Sequence, residues 1–491
     1  MIYYIKYIIY SIAVIIISLI SRVETQNQIH QIFLSEINVQ YDTINKKITI
    51  NEIIDLNNSY IEIPKGYSLH IKDGKIFNGI IKGDNTSLRC DLKGALGITM
   101  TGSWSITNIE DSFFDSETLT DKQILDNINT LQSDLINQTI TLSKKEYCAH
   151  INSPNDCLLK LSSNTDITLN TSIKLKPNNF QSYNIIEVRN KNNISIRGGH
   201  IWGDIATHKY VGSSTHEWGM GIFIYSSSNI RIENTIISNC TGDGIYVGGG
   251  DEHSIMDNLF ASKNIYLSSV TCDSNRRQGL SIIHVDGMSV NKCHFVNTGT
   301  IKSTPPSAGL DIEPNLTSQR NNSVRNVKIQ ECVFLNNSGR SFEADLGVID
   351  GVNMNIDNII LEKCSFDNSI RIGAPNLTFK ECNLQDIQIR PYESFIDCEF
   401  IGCMINNGVF LLTKHKHSPL YQPTEEERPI RSMIFKNCII CQNDQTGVAI
   451  NVECNPEDVK NIHLYDCVLN IENDKSLITS CCENIIQKHS I

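Results

Sequence analysis

The residues best equipped for chemistry sit in one short phrase, SAGLDIEPN, Ser307 to Asn315. Leu310 and Ile312 alternate with Asp311 and Glu313, the period-2 pattern of a strand with one buried face. That pattern sets two carboxylates side by side on the other face, where like charges repel and hold a proton. More acids occur in similar phrases: Asp243 in TGDGIYVGG, and Glu343 and Asp345 in GRSFEADL. NRRQG adds Arg276, Arg277 and Gln278.

Paired carboxyls of this kind suit glycosidic hydrolysis, where one protonates the leaving oxygen and the other activates water or attacks the sugar. A lyase would instead neutralise a uronate, with Arg276, Arg277 or a carboxylate-bound Ca²⁺, and would need a base for the C5 proton. Blander readings also exist. Asp311 and Glu313 could form a surface ion-pair network with the arginines, and Asp243 could be a turn residue. The loop GDIATHKYVGSSTHEWGMG places His208, His216, Glu217 and Trp218 where they could line a sugar groove. No Walker loop, nucleophile elbow, HExxH or dinucleotide fingerprint is present.

A repeated phrase must position these groups. NVKIQECVF, IILEKCSF, NLTFKECNL, MIFKNCII and NIHLYDCVL place Cys332, Cys364, Cys382, Cys438 and Cys467 in one slot. Cys293 and Cys398 fit the same pattern, and Thr235 and Gly199 fill it in earlier copies. Each copy reads as a strand, a turn and a second short strand, with variable inserts between copies, as in a solenoid. The cysteines read as small, stacked, buried thiols. Cys148 and Cys157 are the disulfide candidates. The expected fold is all-β, a right-handed single-stranded parallel β-helix with an N-terminal capping helix. That helix spans TLTDKQILDNINTLQSDLI, with Ile124, Leu125, Ile128, Leu131 and Leu135 on one stripe and Thr118 or Thr120 as N-cap.

Stacking the coils gathers the acids. If GMGIFIY, GDGIYVGG, RQGLSII and AGLDIEP align, Gly221, Gly244, Gly279 and Gly309 form one column. The next outward residues are then Phe223, Tyr246, Ser281 and Asp311, with Asp243 and Gln278 in the column just before the glycines. The coil GRSFEADL adds Glu343 and Asp345. Candidate catalytic residues are therefore Asp243, Asp311, Glu313, Asp345, Arg276 and Arg277. Candidate substrate-binding residues are His208, His216, Glu217, Trp218, Tyr246, Gln278 and Glu343.

Composition bounds the rest. The 491 residues carry 40% hydrophobic and 20% charged side chains and a net charge of −12, which is globular and unsuited to a nucleic-acid partner. Residues 1–26 read as a signal peptide, with an apolar run from Tyr7 to Ile20, so a secreted or cell-surface location is expected. Residues 27–118 read as a strand-rich cap or first coils, 119–150 as helix and connection, 151–480 as the β-helix and 481–491 as a tail. No coiled-coil or swapped segment supports a homotrimer. IPKGYSL, the helix and ISIRGGHIWGD resemble right-handed β-helix proteins of the pectate-lyase-like superfamily. THEWGMGI, GDGIYVGG, NRRQG and AGLDIEPN are similar to an uncharacterised exported or phage-associated sub-group. The resemblance implies a polysaccharide partner, and its members include hydrolases, lyases, isomerases and adhesins.

Overall fold

The computed structural model describes residues 39–488, apart from 251–260, 315, 318–319, 346–354, 390–396, 413–431, 442–448, 454–461, 471–477 and 481–484. The expected signal peptide therefore lies outside the described residues. The chain falls into two compact units, residues 1–141 and 142–491.

The first unit already contains parallel coils. Lys47–Ile50, Ser68–Ile71 and the end of Lys75–Cys90 stack in one ladder, and Ile53–Glu62, Lys75–Cys90 and Leu96–Ser105 in another. Helix α1, Asp121–Leu131, starts at Thr120, whose hydroxyl caps Gln123 N while Gln123 returns a bond to the Thr120 backbone. Its stripe of Ile124, Leu125, Ile128 and Leu131 is buried. Asn127 ties α1 to the strand Leu96–Ser105, bonding Met100 N and Ile98 O at 2.8 Å each. Leu135, expected on the stripe, lies beyond the helix end and is 91% exposed.

The second unit is a parallel β-helix, with three parallel ladders wound by one chain. The sense that parallel crossovers take is right-handed. One ladder runs through Ser182–Arg189, Trp218–Tyr225, Asp243–Gly248, Gln278–Ile282, Ala308–Ile312 and Phe342–Asp345; we call it the front sheet. A second runs through Ser228–Glu233, Ser262–Ser268, Val285–Asn291 and Ser323–Gln330. A third, of three-residue strands, runs through Ile236–Ser238, Thr271–Asp273, His294–Val296 and Val333–Leu335. The ladders continue as far as Ile485–Lys488, which pairs with Ile462–Tyr465.

Identical residues stack at several coil positions. Phe295, Phe334 and Phe366 overlap at 5.2 and 4.6 Å, and Phe379, Phe400 and Phe435 at 5.0 and 4.8 Å. Asn193, Asn229 and Asn264 each have φ near +55° and donate a side-chain amide to the asparagine of the previous coil at 2.9–3.0 Å. Asparagine tolerates this left-handed turn and satisfies its neighbour's carbonyl there.

The thiol column comprises Cys293, Cys332, Cys364, Cys382, Cys403, Cys438 and Cys467, all buried. Cys403 belongs to it in place of Cys398, which sits within the strand Asp397–Ile401 beside Leu377. The pairing expected of Cys148 and Cys157 is not made: both are thiols.

The glycine column is as tight as the stacking implies. A Cβ on Gly244 would lie 2.7 Å from Gly279 O, and one on Gly279 would lie 2.5 Å from Gly309 O. Gly279→Ala should lower the unfolding free energy by about 1–3 kcal/mol, the usual cost of overpacking. Urea denaturation of the variant checks this; unchanged stability would mean the coils do not approach so closely.

Candidate functional site

The front sheet presents one outward row across its coils: Glu187, Phe223, Tyr246, Ser281, Asp311, Glu343 and Arg371 are consecutive partners. Asp243 pairs with Gln278 just ahead of the glycines. The expected alignment thus holds, and it converts acids far apart in sequence into one surface.

The centre is dense. Ser281 Oγ donates to Asp243 Oδ2 at 2.6 Å and also bonds Gln278 Oε1. Gln278 Nε2 in turn donates to Asp311 Oδ2, so Gln278 and Ser281 bridge the two aspartates. Arg277 Nη1 lies 2.7 Å from Gln278 Oε1 and 3.3 Å from Asp243 Oδ2, and Nη2 lies 3.8 Å from Glu313. Further along the row, Arg340 Nη1 reaches Glu343 at 2.9 Å. Arg371 Nη2 reaches Glu343 at 2.6 Å and also pairs with Asp345.

Five carboxylates therefore share three guanidiniums. Asp243 is 0% exposed and Asp311 2% exposed. Burial pushes the Asp243 carboxyl up to about 6, against the opposing pull of Arg277 and the Ser281 hydroxyl. Burial, then Glu313 and Glu343, push Asp311 well above the usual carboxylate range. Burial also raises Glu313. Asp243 Oδ1 and Asp311 Oδ1 are buried without a hydrogen-bond partner. Such oxygens are costly unless a substrate or a proton meets them.

On one side of the acids lies an aromatic shelf. Phe223 stacks on Tyr246 at 5.1 Å and on Tyr225 at 5.5 Å, and the Arg189 guanidinium lies 4.8–4.9 Å from the Phe223 and Tyr225 rings. Trp218, 45% exposed, opens the strand that carries them. Glu217, just before it, adds to the negative field felt by Asp243, Arg277 and Glu313.

Three expectations change. Arg276 does not face the acids. Its guanidinium bonds Thr215 O, His216 O and Thr241 O at 2.8–3.3 Å, because the chain turns a corner between it and Arg277. His208 and His216 do not line a groove; both are buried, 5% and 1% exposed. His208 Nδ1 meets Asp204 at 2.9 Å, its Nε2 meets His216 Nδ1 at 2.9 Å, and His216 Nε2 meets Val211 O at 2.8 Å. This chain fixes the fold of the loop. Glu343 joins the row and Asp345 lies two residues beyond it, but each is matched to arginine.

Sequence reasoning missed Arg371, Arg340 and Arg189. Arg371 was reachable by carrying the stack one coil further, into SIRIGA, although the glycine column already ends at the Glu343 coil, where Ser341 replaces it. Among the described residues, no group of three or more His, Cys, Asp or Glu side chains is placed to hold a metal ion.

No family model matches the chain. Two proteins of Bacillus subtilis (strain 168) are similar to it. The SPbeta prophage-derived uncharacterized protein YorA is 28% identical over 43% of this chain and 38% of its own length. The uncharacterized protein YclG is 32% identical over 43% and 35%. The chain thus spans little more than a third of these relatives. Among solved structures, the A-module of mannuronan C-5 epimerase AlgE6 of Azotobacter vinelandii is 13% identical over 72% of this chain and 90% of that one, TM-score 0.48. The tailspike gp49 of Acinetobacter baumannii bacteriophage Fri1, a capsular polysaccharide depolymerase, is 13% identical over 78% and 57%, TM-score 0.37. The fold itself stands on the strand register.

The raised carboxyls oppose folding near neutrality. A folded pKa above the unfolded value means the native state holds more protons, so stability falls as pH rises from about 4 through about 6 for Asp243. Asp311→Asn, which removes a charge forced into the same cluster, should stabilise the protein at pH 8 more than at pH 4. Paired denaturation curves at the two pH values check this, and equal shifts would show that Asp311 titrates normally.

Proposed function

We propose that this protein hydrolyses a glycosidic bond in a polysaccharide, with Asp311 as general acid and Asp243 as general base. The observation that carries the reading is the pair of buried, bridged aspartates, each with one unpartnered oxygen, next to an aromatic shelf on the same row. Rings of this kind stack on the apolar faces of sugars, and a row crossing several coils suits a chain-like ligand. Sequence resemblance to a superfamily that acts on polysaccharides agrees with it.

Roles follow from environment. Asp311, among Glu313 and Glu343, keeps its proton and gives it to the leaving oxygen. Asp243, held toward ionisation by Arg277 and Ser281, takes a proton from the water that attacks the anomeric carbon. Gln278 and Ser281 keep the two carboxyls in register. Their strands are two coil steps apart, roughly 9–10 Å at ordinary strand spacing. A distance of about 6.5–9.5 Å between the two carboxyl groups would leave room for water and predict inversion at the anomeric carbon. Arg277 is already matched to Asp243, Gln278 and Glu313, which favours a tuning role over the uronate clamp a lyase needs.

The test is to incubate the full chain with neutral and uronic polysaccharides, following reducing ends and the ultraviolet absorbance of unsaturated uronates. Reducing ends without absorbance are expected, unaffected by EDTA, with the inverted anomer formed first by NMR. Asp311→Asn should cost about 10²–10⁴-fold in rate while glycan binding persists. Absorbance rising together with reducing ends would replace hydrolysis by elimination. Binding with no turnover would make the protein a glycan-binding module.

kcat/KM should fall about tenfold per pH unit below about 6, where Asp243 takes up a proton. A flat acid limb down to pH 4 would remove Asp243 from the role of base.

A further inference from the structure

A second feature of the β-helix unit lies around the corner from the acids. A cleft of about 390 Å³ is lined by Tyr210, Ser214, Arg276, Lys302, Ser303 and Thr304, among others. The Arg276 guanidinium sits 4.7 Å from the centre of the Tyr210 ring, and Lys302 Nζ sits 4.2 Å from it. Two cations are thus drawn to one ring.

Their charge is not neutralised locally. Arg276 bonds backbone carbonyls, and among the described residues neither Arg276 nor Lys302 forms an ion pair with a carboxylate. By contrast, Arg277, Arg340 and Arg371 all find acids, in a protein whose net charge is −12. The nearby carboxylate of Asp204 is committed to Tyr183, His208 and Asn178. Ring quadrupoles return only about 0.5–1 kcal/mol per exposed cation, little against the mutual repulsion of two. Ser214 Oγ, also in the cleft, is buried with no hydrogen-bond partner. Two cations and an unsatisfied hydroxyl around one cavity are the donor set of an oxyanion site.

The position gives the site a use. Arg276 and Arg277 are adjacent in sequence but diverge, one into this cleft and the other into the acid cluster. Arg276 also grips the carbonyls of Thr215 and His216, the residues that lead to Glu217 and Trp218 at the rim of the acid cluster. We propose that this cleft binds an anionic substituent of the glycan, a carboxylate, sulfate ester or phosphate ester, beside the bond on which the two aspartates act as acid and base. This rests on reading the front sheet as a glycan site, but its test requires no turnover.

Calorimetric titration of the full chain at low ionic strength would compare glucose, glucuronate, glucose 6-sulfate, glucose 6-phosphate and inorganic phosphate. At least one charged sugar should bind at least tenfold more tightly than glucose, and their ranking identifies the substituent. Lys302→Met should remove that preference, and Lys302→Arg should restore it. Lys302 is exposed and makes no ion pair, and its contact with the Tyr210 ring is a surface one, so neither change threatens the fold. Equal binding of charged and neutral sugars would overturn the proposal, as would a preference that survives Lys302→Met. Inorganic phosphate binding as tightly as the best charged sugar would show a site for the free ion instead. Charge preference without any hydrolysis would leave this site standing and sink only the catalytic reading.

Discussion

Every feature of the front sheet depends on one constraint: each coil must hydrogen-bond to the next in fixed parallel register. Strand spacing then sets side chains of successive coils at one repeat distance, whatever their separation along the chain. The glycines enforce it, since the carbonyl of the next coil occupies the space where a Cβ would sit. Loops can lengthen without disturbing that register, which explains how inserts of very different size fit between identical phrases.

The same constraint makes the site expensive. Register brings Ser281, Asp311, Glu343 and Arg371 into contact whether or not their charges agree. Three arginines offset part of the repulsion, and protons offset more, leaving Asp243 and Asp311 with elevated affinities for a proton. A purely structural surface would gain from replacing either acid by a neutral group. Strain of this kind concentrates where chemistry needs it.

Sequence made the row legible because four coils share the phrase Gly-Ile/Leu, so Phe223, Tyr246, Ser281 and Asp311 could be aligned by eye. It also made the thiol and asparagine ladders legible, because repeated identity survives variable inserts. It failed where periodicity stops. Arg276 and Arg277 straddle a corner, so alternation along a strand says nothing of where each one points. His208 and His216 belong to a loop whose contacts with Asp204 and Val211 are local and aperiodic. Arg371 was missed because the marker glycine is already gone from the Glu343 coil, where Ser341 fills the column, so no repeated residue fixes the register one coil on. Cys398 displaced Cys403 because two overlapping phrases, FIDCEF and FIGCMI, fit the slot equally well by composition.

The thiol column has a further consequence. Its sulfurs are shielded by the coils on either side, so none reacts with an oxidant while the stack is closed. A solenoid that frays from its C-terminal end exposes Cys467 first, then Cys438, then Cys403. The order in which the sulfurs are chemically marked would therefore record how far, and from which end, the molecule had come unwound.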